Sequence, residues 1–98
     1  MSEIVFIATL NVAKGREADF ENLQTELSET AHEQEPGLLV YDVIRHTEEP
    51  NKYVVYARFK DQAAFEFHQE ADFHHRLVPP ILDCVEGEMD LQFFGHIA

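Results

Sequence analysis

Two extended runs joined by a short polar stretch constrain this chain more than anything else in it. The first, Leu38–His46, follows a Pro36-Gly37 turn signal, and the second, Tyr53–Phe59, follows the polar residues Thr47–Lys52. Both are rich in Val, Ile and Tyr, which fit a pleated, half-buried surface, so they pair as an antiparallel hairpin. In the first run Leu38, Val40, Asp42 and Ile44 share one face, and Leu39, Tyr41, Val43 and Arg45 the other. A sheet with one wet face shows a clean alternation of apolar and polar residues, and this run does not. The hairpin therefore needs cover on two sides.

The rest of the chain supplies it. Residues 3–12 form a further strand, again apolar on both faces at its N-terminal end. Lys14-Gly15 interrupts it, and from Arg16 to about Gln34 the residues Phe20, Leu23, Leu27 and Ala31 recur at helical spacing among Glu, Asp, Gln and Ser. That is a one-sided amphipathic helix, with acidic residues near its positive end. After the hairpin, Asp61 caps a helix through about Glu70. Asp72 is a candidate cap for a second segment, Phe73–Cys84, and Pro79-Pro80 is expected to break or kink it. Glu88–Phe94 alternates and reads as the last strand. The order β-α-β-β-α-β over residues 1–98, taken as a single domain, predicts an α+β ferredoxin-like fold with a four-stranded antiparallel sheet. Its helices lie on one face only. The other face carries Val and Ile, so it is expected to pack on a second copy, making a homodimer through the sheet face.

Charge and cysteine usage narrow the partners. With 19 acidic residues against 7 basic ones the formal charge is −12 and no basic cluster exists, so neither nucleic acid nor an anionic membrane surface is an expected partner. No apolar run approaches the ~20 residues of a spanning helix. Met-Ser-Glu-Ile lacks the basic start of a secretory leader. One cysteine, Cys84, cannot form an internal disulfide. A cytoplasmic protein is the expectation.

Six histidines raise the question of a metal: His32, His46, His68, His74, His75 and His96. On one continuous helix His68 and His75 would stand about 10.5 Å apart along the axis, too far to share a zinc ion. A break near Ala71-Asp72 would bring His68 toward His74 or His75, yet no zinc-ligand spacing is present, and no metal is expected. His68 follows Phe65 by three residues, so its ring points toward the apolar stripe facing the sheet. It is either a core-edge histidine satisfied by one hydrogen bond or a general base at a pocket mouth. His74 and His75 read as solvent-facing, with His74 also a polar pocket candidate. Tyr41, Tyr53 and Tyr56 are core residues or pocket walls. Asp42 is paired locally or held in a cavity, and Cys84 is a small buried hydrophobe. No phosphate loop or dinucleotide fingerprint occurs, so no cofactor is expected.

The segments Glu35-Pro-Gly-Leu-Leu-Val-Tyr-Asp-Val and Asn51-Lys-Tyr-Val-Val-Tyr-Ala-Arg-Phe-Lys-Asp-Gln-Ala-Ala-Phe-Glu-Phe-His68 resemble the antibiotic biosynthesis monooxygenase family. The shared pattern is P-G-x-x-x-Y-D in the hairpin, then D-x-x-A-x-x-x-H. The resemblance implies a dimeric α+β barrel of ferredoxin-like subunits and, of the family's several activities, a quinol monooxygenase type. It carries His68 over as the helix histidine at the pocket. The chain departs from the family pattern at Ala57, where many relatives have Glu, at Phe59, where they have Trp, and at Phe73, which replaces a second histidine and is followed by His74. It has no Trp, and Leu77 stands where heme-degrading relatives carry their ligand histidine, which points away from heme. The expectation is a small dimeric, cofactor-independent monooxygenase acting on a quinol or related electron-rich aromatic and O2. Catalysis falls to His68 and His74, and substrate binding to Tyr41, Phe59, Phe65 and Phe67. Two alternatives are an isomerase or lyase of a small polar metabolite, using Arg45, Arg58, Lys60 or Arg76, and a non-catalytic ligand-binding dimer.

Overall fold

The computed structural model describes residues 3–98; Met1 and Ser2, the first half of the Met-Ser-Glu-Ile start that lacks a leader's basic residues, lie outside the described residues. The elements in order are β1 (Ile4–Val12), α1 (Glu17–Gln34), β2 (Leu38–Arg45), β3 (Lys52–Phe59), α2 (Gln62–Glu70), α3 (Asp72–Asp83) and β4 (Val85–Gly95). The strands form one antiparallel sheet in the order β2-β3-β1-β4. This is the expected ferredoxin-like α+β arrangement. Among the described residues no helix is long and apolar enough to cross a membrane.

Alternation along the central strands decides where the helices go. Tyr53, Val55, Ala57 and Phe59 of β3 are all buried, and their partners on β1 are Leu10, Ala8, Phe6 and Ile4. All of these except Ile4 pack with Phe20, Leu27 and Ala31 of α1 and Phe73, Leu77 and Ile81 of α3 into a core. Val54, Tyr56 and Arg58 point the other way, beside Val5, Ile7 and Thr9, and among the described residues no helix covers that face. Ile44 and Phe94 on it are 57% and 45% exposed.

Five local expectations are corrected. Strand β2 carries a bulge between Leu38 and Val40, so Leu38 pairs with Phe59 and packs on the core, not on the face of Val40. One inserted residue is enough to exchange faces, because the side-chain period is two. In α1 the buried stripe is Phe20, Gln24, Leu27 and Ala31, while Leu23 is only half-buried. The chain breaks at Ala71, which is extended (φ −65°, ψ 139°) and takes the N-cap position expected of Asp72. The helix then continues unbroken through Pro79 and Pro80. The two prolines remove the amides that would bond the carbonyls of His75 and Arg76, and both of those residues face water, which supplies the missing donors. Finally, β4 starts three residues earlier than Glu88 and accommodates a bulge at Gly87, whose φ of 69° suits a residue without a side chain.

One close approach sets the position of α2. A Cβ placed on Gly37 would lie 2.4 Å from Cβ of Ala64, and Lys60 N donates to Gly37 O at 2.9 Å. The turn after α1 and the first turn of α2 are thus in direct contact. Whatever follows Ala64 by one helical turn on the same face comes to lie beside the residue that precedes Pro36.

Candidate active site

That following residue is His68, and the residue before Pro36 is Glu35. Helix α2 begins where the Asp61 side chain accepts a hydrogen bond from Ala64 N at 2.8 Å. Glu35 sits at the C-cap of α1, its N–H donating to Ala31 O at 2.9 Å. Its Oε2 lies 2.7 Å from His68 Nδ1, with Glu35 4% and His68 2% exposed. Glu35 Oε1 has no hydrogen-bond partner among the described residues. A carboxylate oxygen accepts from an imidazole N–H, so Nδ1 is the donor of this contact and Nε2 is the ring nitrogen that Glu35 does not engage. A buried pair of this kind is strongly weakened by loss of either member, because the survivor stays buried and unpaired.

Around this pair the side chains are mostly apolar. The His68 ring has Phe59 at 5.1 Å, Tyr41 at 5.8 Å and Phe6 at 6.5 Å between centroids. His68 borders a cavity of about 180 Å3 between the helices and the inner sheet face. Phe6, Leu27, Val55, Phe65 and Ile81 supply apolar wall, and Gln24, Tyr41, Gln69 and His74 are its other polar residues. Leu82, Met89, Leu91 and Phe93, each between 39% and 53% exposed, surround its open side.

The break at Ala71 brings His74 back onto the end of α2, with its ring 4.6 Å from that of His68 and inclined to it by 67°. His74 is half-buried, not solvent-facing as expected, whereas His75 is exposed. Burial, and then the neighbouring His68 and His75 rings, push the His74 pKa down to about 4. It is therefore a neutral imidazole at physiological pH. Tyr41 donates its hydroxyl to Gln24 Oε1 at 3.0 Å. Burial, and then the charge of Glu35, hold its phenol well above the ordinary value, so Tyr41 remains a donor.

The structure thus gathers His68, His74, Tyr41 and Phe65 around one space. Phe59 is fully buried behind His68 and packs on Phe65 at 5.4 Å, outside the cavity lining. Phe67 is 52% exposed on the far side of α2, in a separate depression with Gln34 and Arg76. Glu35 and Gln24 were missed by sequence reasoning. Glu35 is legible only as the residue before the Pro36-Gly37 turn and the first of a family-like segment, and nothing local marks its role. Gln24 was legible: it follows Phe20 by four residues and precedes Leu27 by three, a polar residue on a core stripe.

The remaining candidates lie elsewhere. Arg45, Arg58 and Arg76 pair with Glu21, Glu3 and Glu26 at 3.2, 3.1 and 3.2 Å, and none of them, nor Lys60, lines the cavity. Asp42 is exposed at the rim of a polar cleft on the other side of Tyr41. Cys84 is buried, within 3.4 Å of Arg16 Nη2. Among the described residues no group of three or more His, Cys, Asp or Glu side chains is placed to hold a metal ion.

Solved structures show the same fold. A candidate antibiotic biosynthesis monooxygenase from Caulobacter crescentus is 24% identical with a TM-score of 0.94, covering 99% of this chain and 92% of its own. A conserved protein from Methanosarcina mazei is 23% identical at a TM-score of 0.89, covering 96% and 92%. A further candidate monooxygenase of this kind, from Nitrosomonas europaea, is 18% identical at 0.91, covering 97% and 90%. No curated protein matches the chain. The family model for antibiotic biosynthesis monooxygenase matches residues 3–79, a span that includes Gln24, Glu35, Tyr41, His68 and His74. The chain belongs to the antibiotic biosynthesis monooxygenase family.

Proposed function

We propose that this protein is a cofactor-independent monooxygenase acting on a quinol. The observation that carries the reading is the buried Glu35–His68 pair at the wall of an apolar cavity. His68 Nε2 takes the proton of a phenolic hydroxyl, and Glu35 stabilises the imidazolium that forms. The quinolate passes one electron to O2. The semiquinone and superoxide combine at a ring carbon, and loss of water leaves a hydroxylated quinone. One quinol and one O2 give one hydroxyquinone and one water, so the substrate supplies all four electrons that O2 takes up and no external reductant is consumed. The apolar wall excludes water and orients the ring. His74, neutral and against His68, is suited to accept a hydrogen bond from the bound hydroxyl, with Tyr41 and Phe65 as walls. Phe59 supports the His68 ring from behind, and Phe67, which faces away, has no contact to offer the ligand.

The functional unit in this reading is a homodimer joined through the uncovered sheet face around Val54, Tyr56 and Ile44, in the dimeric α+β barrel arrangement. A buried lone Cys84 suits the reducing cytoplasm. The alternative isomerase or lyase needs cations at the cavity, and the arginines are engaged by glutamates outside it. Turnover of 1,4-dihydroxynaphthalene with one O2 consumed per quinol supports the monooxygenase reading. Turnover that continues unchanged without O2 rejects it.

A further inference from the structure

We propose that Gln24 binds the second oxygen of the substrate ring, so that the cavity selects an aromatic carrying oxygens at two opposite ends over one with a single hydroxyl. The inference rests on the cavity being the substrate site, not on the reaction carried out there.

Gln24 occupies a position on α1 where its neighbours on the stripe, Phe20, Leu27 and Ala31, are core residues, and it is itself 4% exposed. A buried primary amide with unused hydrogen-bonding capacity is costly relative to a satisfied or apolar group. One half of the amide is satisfied. Its Oε1 accepts from the Tyr41 hydroxyl at 3.0 Å, which fixes the orientation of the plane. The other half, Nε2, has no partner among the described residues, and it is not one of their sealed, partnerless atoms. It borders open space, and the cavity is one of the two spaces that Gln24 lines.

Tyr41 gives the scale. Its ring stands 5.8 Å from the His68 ring, and its hydroxyl reaches Gln24. The stretch from imidazole to amide is therefore spanned by a para-substituted ring with an oxygen at its far end. A ligand lying alongside Tyr41 in the cavity, with one oxygen at His68 and His74, places a para oxygen toward Gln24 Nε2. Between these two poles the walls are Phe6, Leu27, Val55, Phe65 and Ile81, which offer no competing hydrogen bond from their side chains. The N–H donor serves a phenolic oxygen before oxidation and a carbonyl oxygen after it. A site built to hydrogen-bond a substrate group discriminates strongly against the analogue lacking it, since its own polar group is then stranded.

The test is anaerobic equilibrium titration with 1,4-dihydroxynaphthalene and with 1-naphthol, for the parent and for Gln24→Met and Tyr41→Phe. The parent is expected to bind the diol about tenfold tighter or more, the worth of one hydrogen bond. Gln24→Met brings the ratio close to one by weakening the diol alone, and Tyr41→Phe, which releases the amide, lowers it as well. Equal binding of the two compounds by the parent, or an unchanged ratio in Gln24→Met, overturns the proposal. If circular dichroism shows Gln24→Met to be unfolded, Tyr41→Phe decides, and an unchanged ratio there overturns it equally. A diol preference that depends on Gln24 in a protein that consumes no O2 upholds the Gln24 site and rejects the monooxygenase reading.

Discussion

Nδ1 of His68 and Oε2 of Glu35 meet at 2.7 Å across the junction of α2 with the turn after α1, both side chains buried. They are 33 residues apart in sequence, and no strand or helix carries both. The contact exists because Gly37 lets α2 close on the turn. Two consequences can be measured separately. Glu35→Ala leaves His68 buried without its partner and is expected to lower unfolding free energy by about 3–5 kcal/mol in urea titration. Glu35→Gln keeps the shape but not the charge, and is expected to reduce kcat about 10- to 100-fold with little change in KM, as for groups that orient and support a catalytic side chain. An unchanged kcat would show that Glu35 serves stability only.

His74 predicts a pH dependence of stability. Its folded pKa of about 4 lies below the ordinary 6.5 because it is buried and faces His68 and His75. The unfolded chain therefore binds a proton at this site from about pH 6.5 downward, while the folded chain does not until about pH 4. The stability contributed by the neutral ring is present above pH 6.5 and lost as pH falls toward 4. In His74→Asn the slope of unfolding free energy against pH in this window is expected to be shallower by up to about one proton. Superimposable slopes for parent and variant would assign the acid sensitivity to other groups.

Gly37→Ala is expected to destabilise the fold by about 1–3 kcal/mol, the cost of overpacking, since its Cβ would meet that of Ala64 at 2.4 Å. The displaced element is α2, so activity should fall further than the loss of folded protein accounts for. Thermal melts and specific activity measured together separate the two effects. A variant that melts with the parent would show that α2 does not need this contact.

The uncovered sheet face predicts association. Val54 sits at its centre, paired with Thr9 on one side and Ile44 on the other. Val54→Asp places a charge there without touching the core and should convert a dimer into a folded monomer in size-exclusion light scattering. A parent that is monomeric at micromolar concentration contradicts the dimer.

How much of this was legible in the sequence follows from the range of the forces involved. Element order, the hairpin and the ferredoxin-like topology rest on local periodicity, and they are found as expected. The bulge at Leu39 is not a local signal, because a run of apolar residues fits either register until the core selects one. The break expected at Pro79 and Pro80 is absent, because the residues one turn before them, His75 and Arg76, lie on the exposed side of α3, which only the packed helix reveals. His68 was found from its spacing to Phe65. Glu35 was not, since its role depends on a contact between segments 33 residues apart. His74 reached His68 through a break that spacing marked at Ala71-Asp72 without deciding which neighbouring histidine would gain.

The central claim is that His68, held by Glu35, is the base that opens a quinol to O2. The direct measurement is the O2-consumption rate with 1,4-dihydroxynaphthalene for the parent and for His68→Ala, each corrected for oxidation of the quinol without protein and confirmed folded by circular dichroism. The rate is predicted to fall about 100- to 10,000-fold, the range for loss of a general base. A His68→Ala protein that consumes O2 as fast as the parent would contradict the account.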